Sequence, residues 1–171
     1  DLFILNSFGL NELYINTNGI FQLQENILTE QTRTKKVIWK DMDDDGDIDA
    51  VFAKKGLKLF INDGYGGFEE EMFIEDLQTK KIRDIQIKDF DGDSDFDVFV
   101  HTGINSFSIY ENDNNTFEKK SLNIDKTNAY FSKSFLEDID GDDDLDIIFF
   151  EKMSTKMHIY KNEHGIYSKD D

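Results

Sequence analysis

The chain has 171 residues, enough for one domain with a real core, and its 37 acidic against 19 basic residues give a formal charge of −18. That balance argues against nucleic-acid binding, which needs a basic face. No apolar run reaches membrane-spanning length, and there is no cysteine to report on a redox compartment.

Asp1-Leu-Phe-Ile-Leu5 opens the chain as an apolar strand headed by an acid. A second strand ends in Tyr14-Ile-Asn16, and after a turn a third runs from Ile20 to Gln24. A four-strand pattern then begins and recurs. Its first strand is Lys36-Val-Ile-Trp-Lys40, then Ile82 to Lys88, then Tyr130 to Glu137, each running into an Asp-rich loop. Its second strand leaves the loop as Ala50-Val-Phe-Ala53, Val98-Phe-Val100 and Ile147-Ile-Phe-Phe150. The third ends in an aromatic-x-Asn: Phe60-Ile-Asn62, Tyr110-Glu-Asn112 and Tyr160-Lys-Asn162. A turn and a fourth strand follow, at Phe68 to Phe73, Thr116 to Lys120 and Ile166 to Lys169. The second strands are apolar on successive residues, as expected where both faces are covered. The first strands alternate more, and the fourth are the most polar, which fits a solvated rim.

The Asp-rich loops begin 48 and 49 residues apart. The first aromatics beyond the turns, Phe21, Phe68, Phe117 and Tyr167, are 47, 49 and 50 residues apart. A fixed period near 50 with strands alone marks a propeller or a similar β-array. Asp1 aligns with Asp49, Asp97 and Asp146, which makes it the last residue of a fourth loop. The expected fold is all-β, a β-propeller of four-stranded blades with 15 strands, about three and three-quarter blades. Residues 1–171 form a single propeller segment with repeat units 1–35, 36–80, 81–128 and 129–171. Because Asp1 falls in mid-repeat, the absence of a leader segment is uninformative.

The loops carry the chemistry. They read Asp41-Met-Asp-Asp-Asp-Gly-Asp-Ile-Asp49, Asp89-Phe-Asp-Gly-Asp-Ser-Asp-Phe-Asp97 and Asp138-Ile-Asp-Gly-Asp-Asp-Asp-Leu-Asp146. They hold 17 of the 37 acids, so most of the excess charge is local to them. Each close carboxylate pair costs about 1 kcal/mol in water and more where water is thinned out. A hard divalent cation offsets that cost, and Ca2+ fits because it accepts six to eight flexible oxygen ligands. About three ions are expected, which would bring the charge from −18 to about −12. The start resembles an EF-hand loop, but position 12 is Phe52, Val100 or Phe149 rather than Glu, and a strand follows rather than a helix. The candidate metal ligands are therefore the odd-numbered positions: Asp41, Asp43, Asp45, Asp47 and Asp49; Asp89, Asp91, Asp93, Asp95 and Asp97; Asp138, Asp140, Asp142, Asp144 and Asp146.

This arrangement, a D-x-[DN]-x-D-G-x-x-D loop before an apolar strand, resembles the FG-GAP/VCBS calcium-binding β-propeller repeats also found in integrin α-subunit heads. The Asn-x-x-Gly-x-Phe hairpin is similar to the VCBS form. The resemblance implies that side chains at positions 1, 3, 5 and 9 hold the ion, joined by the backbone carbonyl of position 7. It also implies an arc of a larger, seven-bladed propeller, whose end blades are covered by other blades of the same chain or by partner subunits. A closed four-bladed ring lacking one strand is the alternative. Gly46 matches the family's sixth position, whereas Ser94 and Asp143 depart from it and make the left-handed turn harder there.

Outside the loops, His101, His158 and His164 share no register among the repeats, so no catalytic residue is assigned. Trp39 reads most simply as a core residue of a first strand, with stacking on a ligand as the alternative. The dispersed lysine pairs read as edge protection. The expected function is a non-enzymatic, calcium-stabilised binding, adhesion or assembly module. Its setting is extracellular, at the cell surface or in a lumen or periplasm, and its ligand is a protein or a carbohydrate. The alternative is a propeller portion or accessory domain of a polysaccharide lyase or phospholipase, with His101 as the residue to test.

Overall fold

A computed structural model describes residues 1–6, 8–24, 28, 34, 36–54, 56–71, 74–78, 80–103, 106–113, 116–120, 122, 124 and 130–170. Among the described residues, fifteen strands build antiparallel sheets in which sequence neighbours pair. The first sheet is β1 (Leu2–Ile4), β2 (Glu12–Thr17) and β3 (Ile20–Gln24). The second is β4 (Lys36–Lys40), β5 (Asp49–Lys54), β6 (Gly56–Asn62) and β7 (Phe68–Glu71). The third is β8 (Asp84–Lys88), β9 (Asp97–His101), β10 (Phe107–Asp113) and β11 (Thr116–Lys120). The fourth is β12 (Phe131–Glu137), β13 (Asp146–Glu151), β14 (Met157–Glu163) and β15 (Ile166–Asp170). These are the strands read from the sequence, and each sheet is a blade of the expected kind. The end of the fourth strand expected at Phe73 lies outside the described residues.

Residues 1–80 and 81–171 form two compact units, each holding two sheets. In the first, Phe52 on β5 is packed edge-on by Phe60 at 5.1 Å and by Phe3 of the neighbouring sheet at 5.7 Å. Ala50 and Leu28 complete that core. In the second, Phe107 on β10 crosses to Phe149 at 4.3 Å and Phe131 at 5.8 Å, so aromatic rings join the two sheets. Gln86 Nε2 donates to Ser134 O at 2.9 Å, and the Lys88 ammonium to Leu136 O, tying β8 to β12.

In the three four-stranded blades the second strand is the most enclosed. All five residues of β9 are buried, because sheet neighbours flank it and side chains cover both faces. Each large apolar side chain buried there contributes about 1.5–3 kcal/mol. First strands alternate: β12 follows a buried-exposed pattern with an irregularity between Phe131 and Lys133. Outer strands are mostly exposed, as their composition predicts. β3 is exposed throughout yet carries Ile20, Phe21 and Leu23. Trp39 departs from the core position expected for it. It sits on β4 opposite Ala50 and keeps 37% of its surface exposed.

Candidate metal centre

Each Asp-rich loop joins the first strand of a blade to the second. It folds on itself through bonds from backbone N–H groups to its own carboxylates. Position 1 is the hub. Asp41 Oδ2 accepts from Gly46 N–H at 3.0 Å, Asp89 from Gly92 and Ser94 at 2.7 and 3.1 Å, and Asp138 from Gly141 and Asp143 at 2.6 and 3.1 Å. Position 5 accepts from the N–H of position 7 in all three loops, at 2.8 to 2.9 Å. These donors neutralise part of each carboxylate's charge, and at Asp138 they hold the pKa below its ordinary value, Gly141 foremost.

The turns need two left-handed residues, at positions 4 and 6. The φ values are 59° and 95° at Asp44 and Gly46, 79° and 83° at Gly92 and Ser94, and 81° and 71° at Gly141 and Asp143. Each loop places glycine at one of the two and a short polar residue at the other. The departures at Ser94 and Asp143 therefore move the glycine to position 4 without changing the backbone path. Positive φ costs more at a residue with a Cβ, so one such residue per loop is carried at a modest penalty.

Position 9 has a second task. Asp49, Asp97 and Asp146 have no exposed surface. In each, Oδ2 accepts from the N–H of position 2, at 2.7 Å from Met42, 2.6 Å from Phe90 and 2.9 Å from Ile139. Oδ1 accepts at 2.8 Å from the N–H of the third-strand Asn, which is Asn62, Asn112 or Asn162. Asn16 N–H makes the same bond to Asp1 Oδ1 at 2.9 Å, which gives Asp1 its place as a ninth residue. Thus the motif's last carboxylate closes the loop and fastens it to the third strand.

Carboxylate oxygens converge in each loop. Those of Asp41, Asp43 and Asp45, of Asp89, Asp91 and Asp97, and of Asp138, Asp140 and Asp146 lie within 4.8 Å of one another. Burial pushes the carboxyls of Asp43, Asp49 and Asp91 up, with neighbouring carboxylates adding to it. Asp97 is pushed up to about 6, mainly by burial, against the pull of its two backbone donors. Asp41 Oδ1 is buried with no hydrogen-bond partner among the described residues. A buried, unpartnered carboxylate oxygen facing two more carboxylates fits a hard cation, as does an all-oxygen donor set. Asp41, Asp43, Asp45 and Asp49 would hold such an ion in the first loop, and their counterparts in the other two.

In the first and third loops the position-7 carboxylate turns elsewhere. Asp144 Oδ2 accepts from His164 N–H at 2.7 Å in the β14–β15 hairpin. Asp47 Oδ2 lies against Gly64 in the β6–β7 hairpin, where a side chain on Gly64 would collide with it. In these two loops position 7 is thus suited to offer an ion its carbonyl rather than its side chain. Sequence reading missed this hairpin contact; the only signal for it is the small or left-handed residue at the turn.

The histidines are dispersed. His101 is 1% exposed and tilted 4.5 Å from the Phe107 ring. His158 Nε2 lies 2.8 Å from Glu151 Oε1, and His164 is exposed.

Residues 89–149 match the FG-GAP-like repeat. The matched stretch spans the second Asp loop, β9 to β12 and the third loop into β13. No curated protein matches the chain. Among solved structures, a lectin of Agrocybe aegerita, studied for specific recognition of non-reducing terminal N-acetylglucosamine, has a TM-score of 0.65 at 21% identity. The match covers 94% of this chain and 45% of the lectin, so the chain spans less than half of that structure. At that identity the likeness is one of fold, and the repeat-bearing sheets are β-propeller blades. No helix among the described residues is long and apolar enough to cross a membrane.

Proposed function

We propose that this chain is a calcium-stabilised β-propeller segment that acts as a non-enzymatic binding module outside the cytosol, with carbohydrate as its ligand class. The observation that carries the calcium part is the convergence of three carboxylates in each of three equivalent loops, with Asp41 Oδ1 buried and unpartnered in one. Ca2+ would neutralise each cluster and fix the angle at which the first strand passes into the second. Such a site does not persist in an unfolded chain, so ion binding is linked to folding. Millimolar free calcium outside cells suits loops of exposed carboxylates. The carbohydrate part is supported by the fold shared with a lectin that recognises terminal N-acetylglucosamine. Fold alone does not fix a ligand.

Two measurements test the proposal. Calorimetric titration of the metal-free chain with Ca2+ should give about three ions bound, and melting should shift upward with calcium. A panel of immobilised sugars that includes terminal N-acetylglucosamine should retain the calcium-loaded chain. Absence of ion binding would remove the first part; failure on every sugar would remove the second. The enzymatic alternative, a propeller portion or accessory domain of a polysaccharide lyase or phospholipase, is tested by comparing activity on acidic polysaccharides between wild type and His101→Ala.

A further inference from the structure

Two clefts occupy the same place in the two units. Each lies between the third strand of one blade and the loop and hairpin of the next. In the first unit the cleft is about 400 Å³ and is bounded by Leu13 and Ile15 on one side and by Asp47, Asn62 and Phe68 on the other. In the second it is about 320 Å³, with Ile109 and Glu111 facing the equivalent Asp144, Asn162 and Tyr167. Both volumes fall in the range of small-molecule sites, about 300–1,000 Å³. Their linings differ in kind. The second holds Glu111 and Lys120, paired at 2.9 Å, and its Tyr167 ring is buried. The first holds the half-exposed Trp39, braced edge-on by Phe3 at 5.3 Å and by Phe68 at 6.3 Å.

We propose that the cleft beside Trp39 binds a hexopyranose, with the indole as stacking platform and Asp47 and Asn62 as the groups that read its hydroxyls. This rests on the carbohydrate reading above and gives it a place. A pyranose ring presents C–H bonds on one face and hydroxyls around its edge. The C–H face packs on an electron-rich aromatic surface, and the hydroxyls need both donors and acceptors. Trp39 offers the first at a wall that also carries the half-exposed Ile48. Asp47 is an acceptor whose carboxylate is turned out of the ion cluster toward this cleft. Asn62 spends one amide hydrogen on Ile48 O at 3.1 Å and accepts Gly64 N–H at 3.1 Å, which locks its orientation with a second hydrogen to donate. The braced ring and locked amide are preorganised, which lowers the ordering cost of binding. Glycines 64 and 66 at the mouth leave room for a ring to approach. Among the described residues lining the second unit's cleft, the aromatic rings of Phe90 and Tyr167 are buried, so one sugar per chain is expected.

Trp39 is the single tryptophan of the chain, so its emission reports this cleft alone. The calcium-saturated protein is titrated with methyl glycosides of glucose, galactose and N-acetylglucosamine, followed by tryptophan emission and in parallel by calorimetry. The expected result is a saturable emission change with the calorimetric Kd and a stoichiometry near one. Trp39→Phe, which keeps an aromatic ring against Phe3 and Phe68, should weaken binding about fivefold or more at an unchanged melting temperature. Calorimetric binding with unchanged emission and full affinity in Trp39→Phe would overturn the assignment of this cleft while leaving the carbohydrate reading intact. No heat and no emission change with any glycoside, together with no retention on the immobilised panel, would overturn both.

Discussion

The loops Asp89–Asp97 and Asp138–Asp146 share the hydrogen bonds made by their first and last carboxylates to positions 2, 4 and 6 and to the third-strand Asn, yet sit beneath opposite charges. In both, position 1 gathers the N–H groups of positions 4 and 6, and position 9 fastens to position 2 and the third-strand Asn. The residue before that Asn is Glu111 in one and Lys161 in the other. Glu111 adds its negative charge to the forces raising Asp91, after burial and the charge of Asp93. Lys161 Nζ instead lies 3.4 Å from Asp140 Oδ2. The cage is therefore set by the backbone and its own carboxylates, while its charge is set by a side chain on a neighbouring strand outside the motif.

Removing calcium should abolish the comparison altogether and have the largest effect. At a free concentration a hundredfold above Kd each ion contributes about 2.7 kcal/mol. Loss of three ions should lower the melting temperature by on the order of 20 °C. Scanning calorimetry in calcium and then in excess chelator measures it, and a shift of only a degree or two would show that the loops hold together without an ion.

Within one loop, positions 5 and 9 should part company. Asp97→Ala orphans two buried N–H groups, at about 1–3 kcal/mol each, so it should destabilise in chelator as well as in calcium. Asp93→Ala should destabilise in calcium only, since Asp93 bonds to the exposed N–H of Asp95. Denaturant melts of both variants with and without calcium separate the roles. Equal losses of both in chelator would mean that position 5 is a purely structural residue.

Swapping the overlying charge should be milder. Lys161→Gln frees Asp140 and should tighten calcium binding at the third loop by about tenfold at most. Glu111→Gln should weaken the second by a smaller factor, because Lys120 already offsets Glu111. Both effects should shrink as salt rises. Calorimetric titration at two ionic strengths checks this; unchanged affinities would place Lys161 outside the ion's field.

The smallest effect concerns the strand that carries Asp97. Burial holds the His101 pKa below its ordinary value, with Arg83 lowering it further and the Gly103 backbone and Asp84 opposing. The folded state then binds this proton less readily than the unfolded chain. His101 therefore costs nothing above pH 6.5 and reduces stability as pH falls below it. The difference in stability between wild type and His101→Gln, both in chelator, should grow in that direction from pH 7 to pH 5. A constant difference would mean that the ring protonates in place.

The repeat was legible because its signals are periodic. Apolar second strands, the aromatic-x-Asn endings and the odd-numbered Asp residues each recur near 50 residues, and they placed all fifteen strands. What the sequence concealed depends on neighbours in space. The position-4 and position-6 turns share one glycine between two left-handed sites, so a fixed sixth-position glycine was too strict a rule. Asp47, Asp95 and Asp144 look identical to the other odd-numbered residues, but carboxylate direction follows the hairpin above, as Asp47 and Asp144 show. Trp39 alternates like a core residue, but it lines a cleft and stays partly open.

The tie between each ninth-position Asp and the Asn of its own third strand also bears on how such a chain can change over generations. The described bonds of each loop end within the same sheet, so a blade carries its whole Asp loop and latch with it. A copied or excised unit of about 50 residues takes its loop, latch and hairpin along and leaves its neighbours' intact. Blade number can then drift while each blade keeps its chemistry, and the surfaces between blades, where Trp39 and Lys120 already differ, are free to diversify.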